Sequence, residues 1–143
     1  MKFIDQLKEK AKQNKKTIVL PETSDMRTIE AAGKVLAEGI ANIILVGDKE
    51  DIMSRAGDID LSGASFVDPK NYEKFDEYVD AFVEMRRKKG MTEARAKELL
   101  LTNPLYFGCM MVKQDDADGM VAGAINASAD VLRAALQTLK TAP

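Results

Sequence analysis

Two arginines carry the clearest chemical signal in this sequence. The stretch Asn71–Lys89 predicts a helix whose apolar face is drawn by Tyr72, Phe75, Tyr78, Val79, Phe82 and Val83. Side chains three and four residues apart share one helix face. Phe75, Val79, Phe82 and Arg86 follow that spacing, so Arg86 projects into the apolar stripe while Arg87, Lys88 and Lys89 swing towards water. A charge withdrawn from water needs a partner, either a carboxylate or a bound anion. A structural ion pair satisfies that need as well as a ligand does, and so does a side chain that snorkels out at the helix end. Arg133 sits in the first turn of a helix expected from Asp130 to Lys140, the end that the helix dipole makes unfavourable for a cation. An anion bound there would remove the conflict; so would a pair with Asp130, three residues earlier.

The segment that leads to Arg133 adds to this reading. Gly119-Met120-Val121-Ala122-Gly123 predicts a short buried strand feeding a Gly-Ala loop into that helix. Free backbone N–H groups at a helix start attract anions, phosphates above all, and Ser128 adds a hydroxyl. Read plainly, Gly123 only makes a turn. No Gly-Lys-Ser/Thr follows the glycines, so this is not a P-loop, and the three spaced glycines of a dinucleotide fingerprint are missing. A further cluster, Pro21-Glu22-Thr23-Ser24-Asp25-Met26-Arg27, lies just past a predicted strand end, where ligands of open α/β sheets gather. Glu22, Asp25 and Arg27 could equally pair among themselves at a capped helix start.

Composition narrows the chemistry. Among 143 residues there is no histidine, which excludes Ser-His-Asp and Cys-His catalysis and imidazole metal ligands. One cysteine, Cys109, forms neither an internal disulfide nor a zinc cluster, and its apolar neighbours mark it as core. Apolar residues make up 45% and charged residues 31%, the balance of a globular domain. The net charge of −2 lacks the basic excess of a nucleic-acid module, and the apolar runs are too short for a membrane span. With a lone cysteine and no signal peptide, the expected location is cytoplasmic.

The elements that must position these residues alternate. A helix over Met1–Gln13 precedes a buried strand, Thr17–Leu20. A helix capped by Ser24 or Asp25 closes at Gly39, and a second strand, Asn42–Val46, leads to a short helix around Lys49–Ala56. Ser65–Val67 is a third candidate strand. Asp68-Pro69 opens a long helix through Lys89, stopped by Gly90. Thr92 caps a helix to about Leu101, Asn103-Pro104 breaks it, and Leu105–Lys113 is apolar and helical. The rhythm predicts an α/β fold with a mainly parallel sheet flanked by helices. The last helix carries Leu132, Leu136 and Leu139 almost to Thr141-Ala142-Pro143, a pattern expected of a chain cut at an internal boundary.

Taken in order, these motifs resemble a known family. Thr17-Ile18-Val19-Leu20-Pro21-Glu22 with Asp25-x-Arg27, then Gly39-Ile40-Ala41-Asn42-Ile43-Ile44-Leu45-Val46-Gly47, is similar to the start of the phosphate acetyltransferases (phosphotransacetylases). Glu84-Met85-Arg86-Arg87-Lys88-Lys89-Gly90-Met91-Thr92 resembles their arginine-bearing helix end. Asp118-Gly119-Met120-Val121-Ala122-Gly123-Ala124 through Ser128-x-Asp130-x-Leu132-Arg133 resembles their phosphate-site loop. The phosphate butyryltransferases share much of this pattern.

The resemblance implies that residues 1–143 are the N-terminal portion of a two-domain α/β enzyme, usually a homodimer, with its active site in the cleft between domains. Such an enzyme moves an acetyl group reversibly between coenzyme A and inorganic phosphate, giving acetyl phosphate, without a built-in metal or bound cofactor. Acetyl-CoA and coenzyme A are substrates. The family's catalytic Asp and Ser-Arg pair belong to the second half, so no catalytic residue is expected here and the isolated chain should be inactive. Carried over by position, Arg86, Arg133 and Ser128 are its substrate-binding residues. The pattern departs at Ala122 and Asn126, where relatives often carry Ser and His, and at Ala134, where they often carry Pro. A non-catalytic anion-binding or regulatory domain of the same type, and a plain dimerisation module, are the rival readings.

Overall fold

Four short strands pair in parallel in the order β3-β2-β1-β4. They are β1 (Thr17–Leu20), β2 (Asn42–Val46), β3 (Ser65–Val67) and β4 (Gly119–Met120). The computed structural model describes residues 2–126 and 128–139, and of Ser128 the backbone alone. The α/β class with a parallel sheet is therefore as the sequence predicts. Successive strand residues face opposite sides of a sheet, and here both sides are apolar. Val19, Ile44 and Val46 point to one core; Ile18, Leu20, Ile43 and Leu45 point to the other. Among the described residues no helix is long and apolar enough to cross a membrane.

Helix α1 (Phe3–Gln13) precedes β1, α2 (Met26–Glu38) joins β1 to β2, and α3 (Lys49–Ala56) follows β2. Ile29 and Ala32 of α2 and Ile52 and Ala56 of α3 fill the core around Leu20 and Leu45. Asp25, one of the two expected caps, accepts from the Arg27 N–H, and Gly39 ends α2 at a positive φ of 66°. Helix α1 buries no residue and is tied to α2 by Lys8–Glu38 at 2.7 Å. The opposite core belongs to α4 (Phe75–Arg86), α5 (Glu93–Thr102), α6 (Pro104–Lys113) and α7 (Ser128–Thr138). Thr92 caps α5, and Asn103 both ends α5 and caps α6. Cys109 is fully buried, and burial pushes its thiol pKa up.

Three sequence expectations change. The long helix from Asp68 to Lys89 is broken at both ends. Asp68 accepts from the Lys70 N–H and closes a 3-10 turn over Pro69–Asn71, and Tyr72 is extended, so α4 starts at Phe75. Arg86 leaves helical geometry at φ −113°, and Arg87–Lys89 form a second 3-10 turn before Gly90. The predicted Gly119–Gly123 strand stops at Met120, because the chain beyond it is drawn away from the sheet by Glu22. Helix α7 starts at Ser128, not Asp130, which moves Arg133 into the second turn, where the helix dipole bears less on it. The expected end at Lys140, and Thr141-Ala142-Pro143, lie outside the described residues.

Under α4, the Tyr78 hydroxyl donates to Asp116 and exchanges a hydrogen bond with Tyr72 at 3.2 Å, while Lys74 donates to Asp116 at 2.7 Å. Burial opposes the Asp116 charge, but Lys74 and Tyr78 outweigh it and hold the carboxyl below its ordinary value. Burial and Asp116 together keep Tyr78 protonated. Tyr78→Phe leaves Asp116 short of one donor and is expected to cost about 1–3 kcal/mol in urea unfolding at neutral pH.

Candidate functional site

The strand order fixes where a ligand crevice opens. β2 and β3 lie on one side of β1 and β4 on the other, so the connections diverge at the carboxyl ends of β1 and β4. Pro21-Glu22 leaves β1 there, and residues 121–126 leave β4. The backbone N–H groups of that loop are not free. Glu22 Oε1 accepts from the N–H of Gly123 at 2.5 Å and of Ala124 at 2.9 Å. Its Oε2 accepts from the N–H of Ile125 at 3.0 Å, and from the N–H and Nδ2 of Asn126 at 2.9 Å each. Gly123 reaches this geometry at a φ of 118°, where a side chain would be strained. Arg27 braces the turn from outside, gripping Asp25 and donating to the Ala124 carbonyl at 2.6 Å.

The N–H groups of residues 123–126 are therefore not the free donors that the sequence suggested: an internal carboxylate occupies them, short of the start of the helix. Glu22 is only 4% exposed. Burial by itself would raise its pKa, but the hydrogen bonds from Asn126, Ala124 and Ile125 outweigh burial and lower it to about 2. Asn126 does donate, but to Glu22 rather than outward. Of the three acidic and basic residues expected to pair near Pro21, only Asp25 and Arg27 pair with each other.

Two hollows meet at Asn126. One, of about 430 Å³, lies beyond the ends of β1, β2 and β3 and is lined by Thr23, Gly47, Asp68, Lys70, Leu101 and Asn126 among others. Thr23 is fixed in its wall, its hydroxyl donating to the Val46 carbonyl at 2.6 Å. The other, of about 500 Å³, is a cleft between α5, α6 and α7 with Arg95, Tyr106, Asn126 and Arg133 in its lining. Arg133 points its guanidinium to solvent, 62% exposed, and meets Asp130 at 3.2 Å. The simpler pairing foreseen for Arg133 is therefore present, as an exposed contact of the kind that contributes little. Arg86 is half-buried and makes no ion pair among the described residues, and its Nε is buried without a hydrogen-bond partner. It does not line the cleft, yet its charge reaches the Tyr106 hydroxyl, as do those of Arg133 and Arg95. The Ser128 side chain lies outside what is described.

Arg95, Tyr106 and Gln137 carry no sequence signal of a site. Tyr106 reads as one more apolar position of α6, and Arg95 as a solvated helix charge. Their common cleft arises only when α5, α6 and α7 pack. Among the described residues, no group of three His, Cys, Asp or Glu side chains is placed to hold a metal ion.

The Glu22 clamp has a signed pH signature. A carboxyl whose folded pKa is depressed contributes stability above its unfolded value, and loses it as pH falls through the folded one. From an ordinary value of 4.5 to about 2, the wild-type chain should lose up to about 3 kcal/mol. Glu22→Gln should cost about 2 kcal/mol at pH 7. The gap to wild type should close between pH 4.5 and pH 2 in urea titrations.

Comparison with known proteins gives this geometry a lineage. The family model described as phosphate acetyl/butaryl transferase matches residues 2–143. A phosphate acetyltransferase of Acetivibrio thermocellus is 51% identical over 143 residues, covering 100% of this chain and 43% of the relative. One of Thermoanaerobacterium thermosaccharolyticum is 52% identical over the same length, with 100% and 43% covered. Among solved structures, a phosphotransacetylase from Streptococcus pyogenes superposes with a TM-score of 0.88 at 36% identity, over 100% of this chain and 44% of that one. EutD phosphotransacetylase from Staphylococcus aureus superposes with a TM-score of 0.86 at 39% identity, over 98% and 42%. The chain thus spans less than half the length of these relatives. With a family match that runs from residue 2 to residue 143, the chain belongs to the phosphate acetyl/butaryl transferase family.

Proposed function

We propose that this chain is the N-terminal portion of a phosphate acetyltransferase, which moves an acetyl group reversibly between acetyl-CoA and inorganic phosphate to give acetyl phosphate and coenzyme A. The observation that carries the reading is 51–52% identity, along the entire chain, to two proteins named phosphate acetyltransferase. The arginine-lined cleft at the carboxyl edge of the sheet supports it. In the proposed reaction the coenzyme A thiolate attacks the acetyl carbonyl carbon. A C–S bond forms, the C–O bond to phosphate breaks, and phosphate leaves with the electron pair.

The part assigned to this chain is binding. Arg133 and Arg86 hold phosphate groups of the substrates, and Ser128 adds a donor at the start of α7. A planar guanidinium grips two phosphate oxygens at once, and fixing such groups supplies much of the catalysis in transfers of this kind. No catalytic residue is assigned to residues 1–143. The complete protein is proposed to act in the cytoplasm as a homodimer, without a bound cofactor, a membrane or nucleic acid.

Two measurements test this. Inorganic phosphate and coenzyme A should each raise the melting temperature of the chain, and Arg133→Ala should weaken their binding by about 2 kcal/mol. The chain alone should show negligible formation of acetyl-CoA from acetyl phosphate and coenzyme A. Unchanged melting with both ligands, or turnover by the chain alone, overturns the assignment.

A further inference from the structure

The cleft between α5, α6 and α7 holds a polar group that the reading above does not use. Tyr106 is 8% exposed, and its ring lies against Phe82 with centroids 5.8 Å apart. Packing fixes the ring and leaves the hydroxyl at the cleft, where it donates to Gln137 Oε1 at 2.9 Å. Gln137 stands four residues after Arg133 on α7, so both project from one helix face. The cations are poorly compensated. Arg133 and Arg95 have only exposed acidic neighbours, Asp130 at 3.2 Å and Glu98 at 3.3 Å, and Arg86 keeps a buried Nε with no partner. Guanidinium groups supply charge on flexible stems. A phenol held by its ring supplies a donor at a fixed point.

We propose that Tyr106 is a phosphate ligand in this cleft, its hydroxyl donating to a phosphate oxygen while Gln137 turns its amide to donate to the phenol oxygen. The exchange is balanced: one hydrogen bond from Tyr106 to Gln137 is replaced by one from Gln137 Nε2 to Tyr106 and one from Tyr106 to the ligand. Burial favours the neutral phenol against the opposing pull of Arg133, Arg86 and Arg95, so the hydroxyl keeps its proton near neutral pH. The ligand is a phosphate group, supplied either by free phosphate and acyl phosphate or by the phosphomonoester of coenzyme A. The inference rests on the cleft being a phosphate site, as read above.

The test uses the 143-residue chain with tyrosine labelled by 13C at Cζ, titrated separately with inorganic phosphate, coenzyme A and dephospho-coenzyme A. Tyr106→Phe assigns the resonance and keeps the ring. The Tyr106 signal is expected to move on saturation while those of Tyr72 and Tyr78, bound to each other, stay. Tyr106→Phe should weaken binding about tenfold, the scale of one hydrogen bond to a charged group. A response to inorganic phosphate identifies free or acyl phosphate as the source. A response to coenzyme A that dephospho-coenzyme A fails to give identifies the phosphomonoester. Binding with an unmoved Tyr106 signal and equal affinity in Tyr106→Phe overturns the inference and leaves the proposed function standing. Absence of binding in all three titrations overturns both.

Discussion

One buried carboxylate organises the carboxyl edge of this sheet. Glu22 takes five hydrogen bonds from four consecutive residues, Gly123 to Asn126. Four successive N–H groups facing inward would be costly to leave unpaired. A single anion with two oxygens satisfies them all, and the same donors make that anion stable in a place almost closed to water. The clamp therefore decides how the chain passes from β4 to α7, and hence where α7 presents Arg133 and Gln137. It also removes the N–H groups of residues 123–126 from competition for a ligand, which leaves an anion here to side chains and to the start of α7.

Those side chains come from four helices that share one core. Arg86 ends α4, Arg95 lies in α5, Tyr106 in α6, and Arg133 and Gln137 in α7. The core beneath them is built from Val19, Ile44 and Val46 of the sheet together with Phe82, Leu100 and Phe107. Burial of that apolar surface holds the helices in place, and like charges are tolerated at its rim because water screens them. Arg86 is the exception, since part of its guanidinium lies inside the rim without a partner. A buried donor without a partner is what separates Arg86 from ordinary surface cations such as Arg95 and Arg133, which meet exposed carboxylates.

Much of the fold was legible from local pattern. Apolar runs of four and five residues bounded by Pro21 and Gly47 identify β1 and β2, and Asp25, Thr92, Asn103 and Gly39 mark helix ends by capping chemistry that acts within a few residues. Of the errors, one is local and one comes from a distant group. The helix expected from Asp68 is delayed to Phe75 by the Asp68 turn and by Tyr72, whose hydroxyl reaches Tyr78 beside Asp116. The strand expected to continue to Gly123 ends early because its backbone is claimed by a carboxylate 101 residues away in sequence.

The sequence by itself determined the strand and helix order, the parallel α/β class, the unusual position of Arg86 on an apolar face and the family membership, because periodicity, caps and motif spacing are local properties of a chain. Tertiary structure alone decided that Glu22 holds residues 123–126, that Arg133 stands two residues deeper in its helix, and that Tyr106 and Gln137 face the same cleft as Arg95 and Arg133. Hydrogen bonds and charges choose partners by distance in space, and that distance exists only after the two faces of the sheet have been covered.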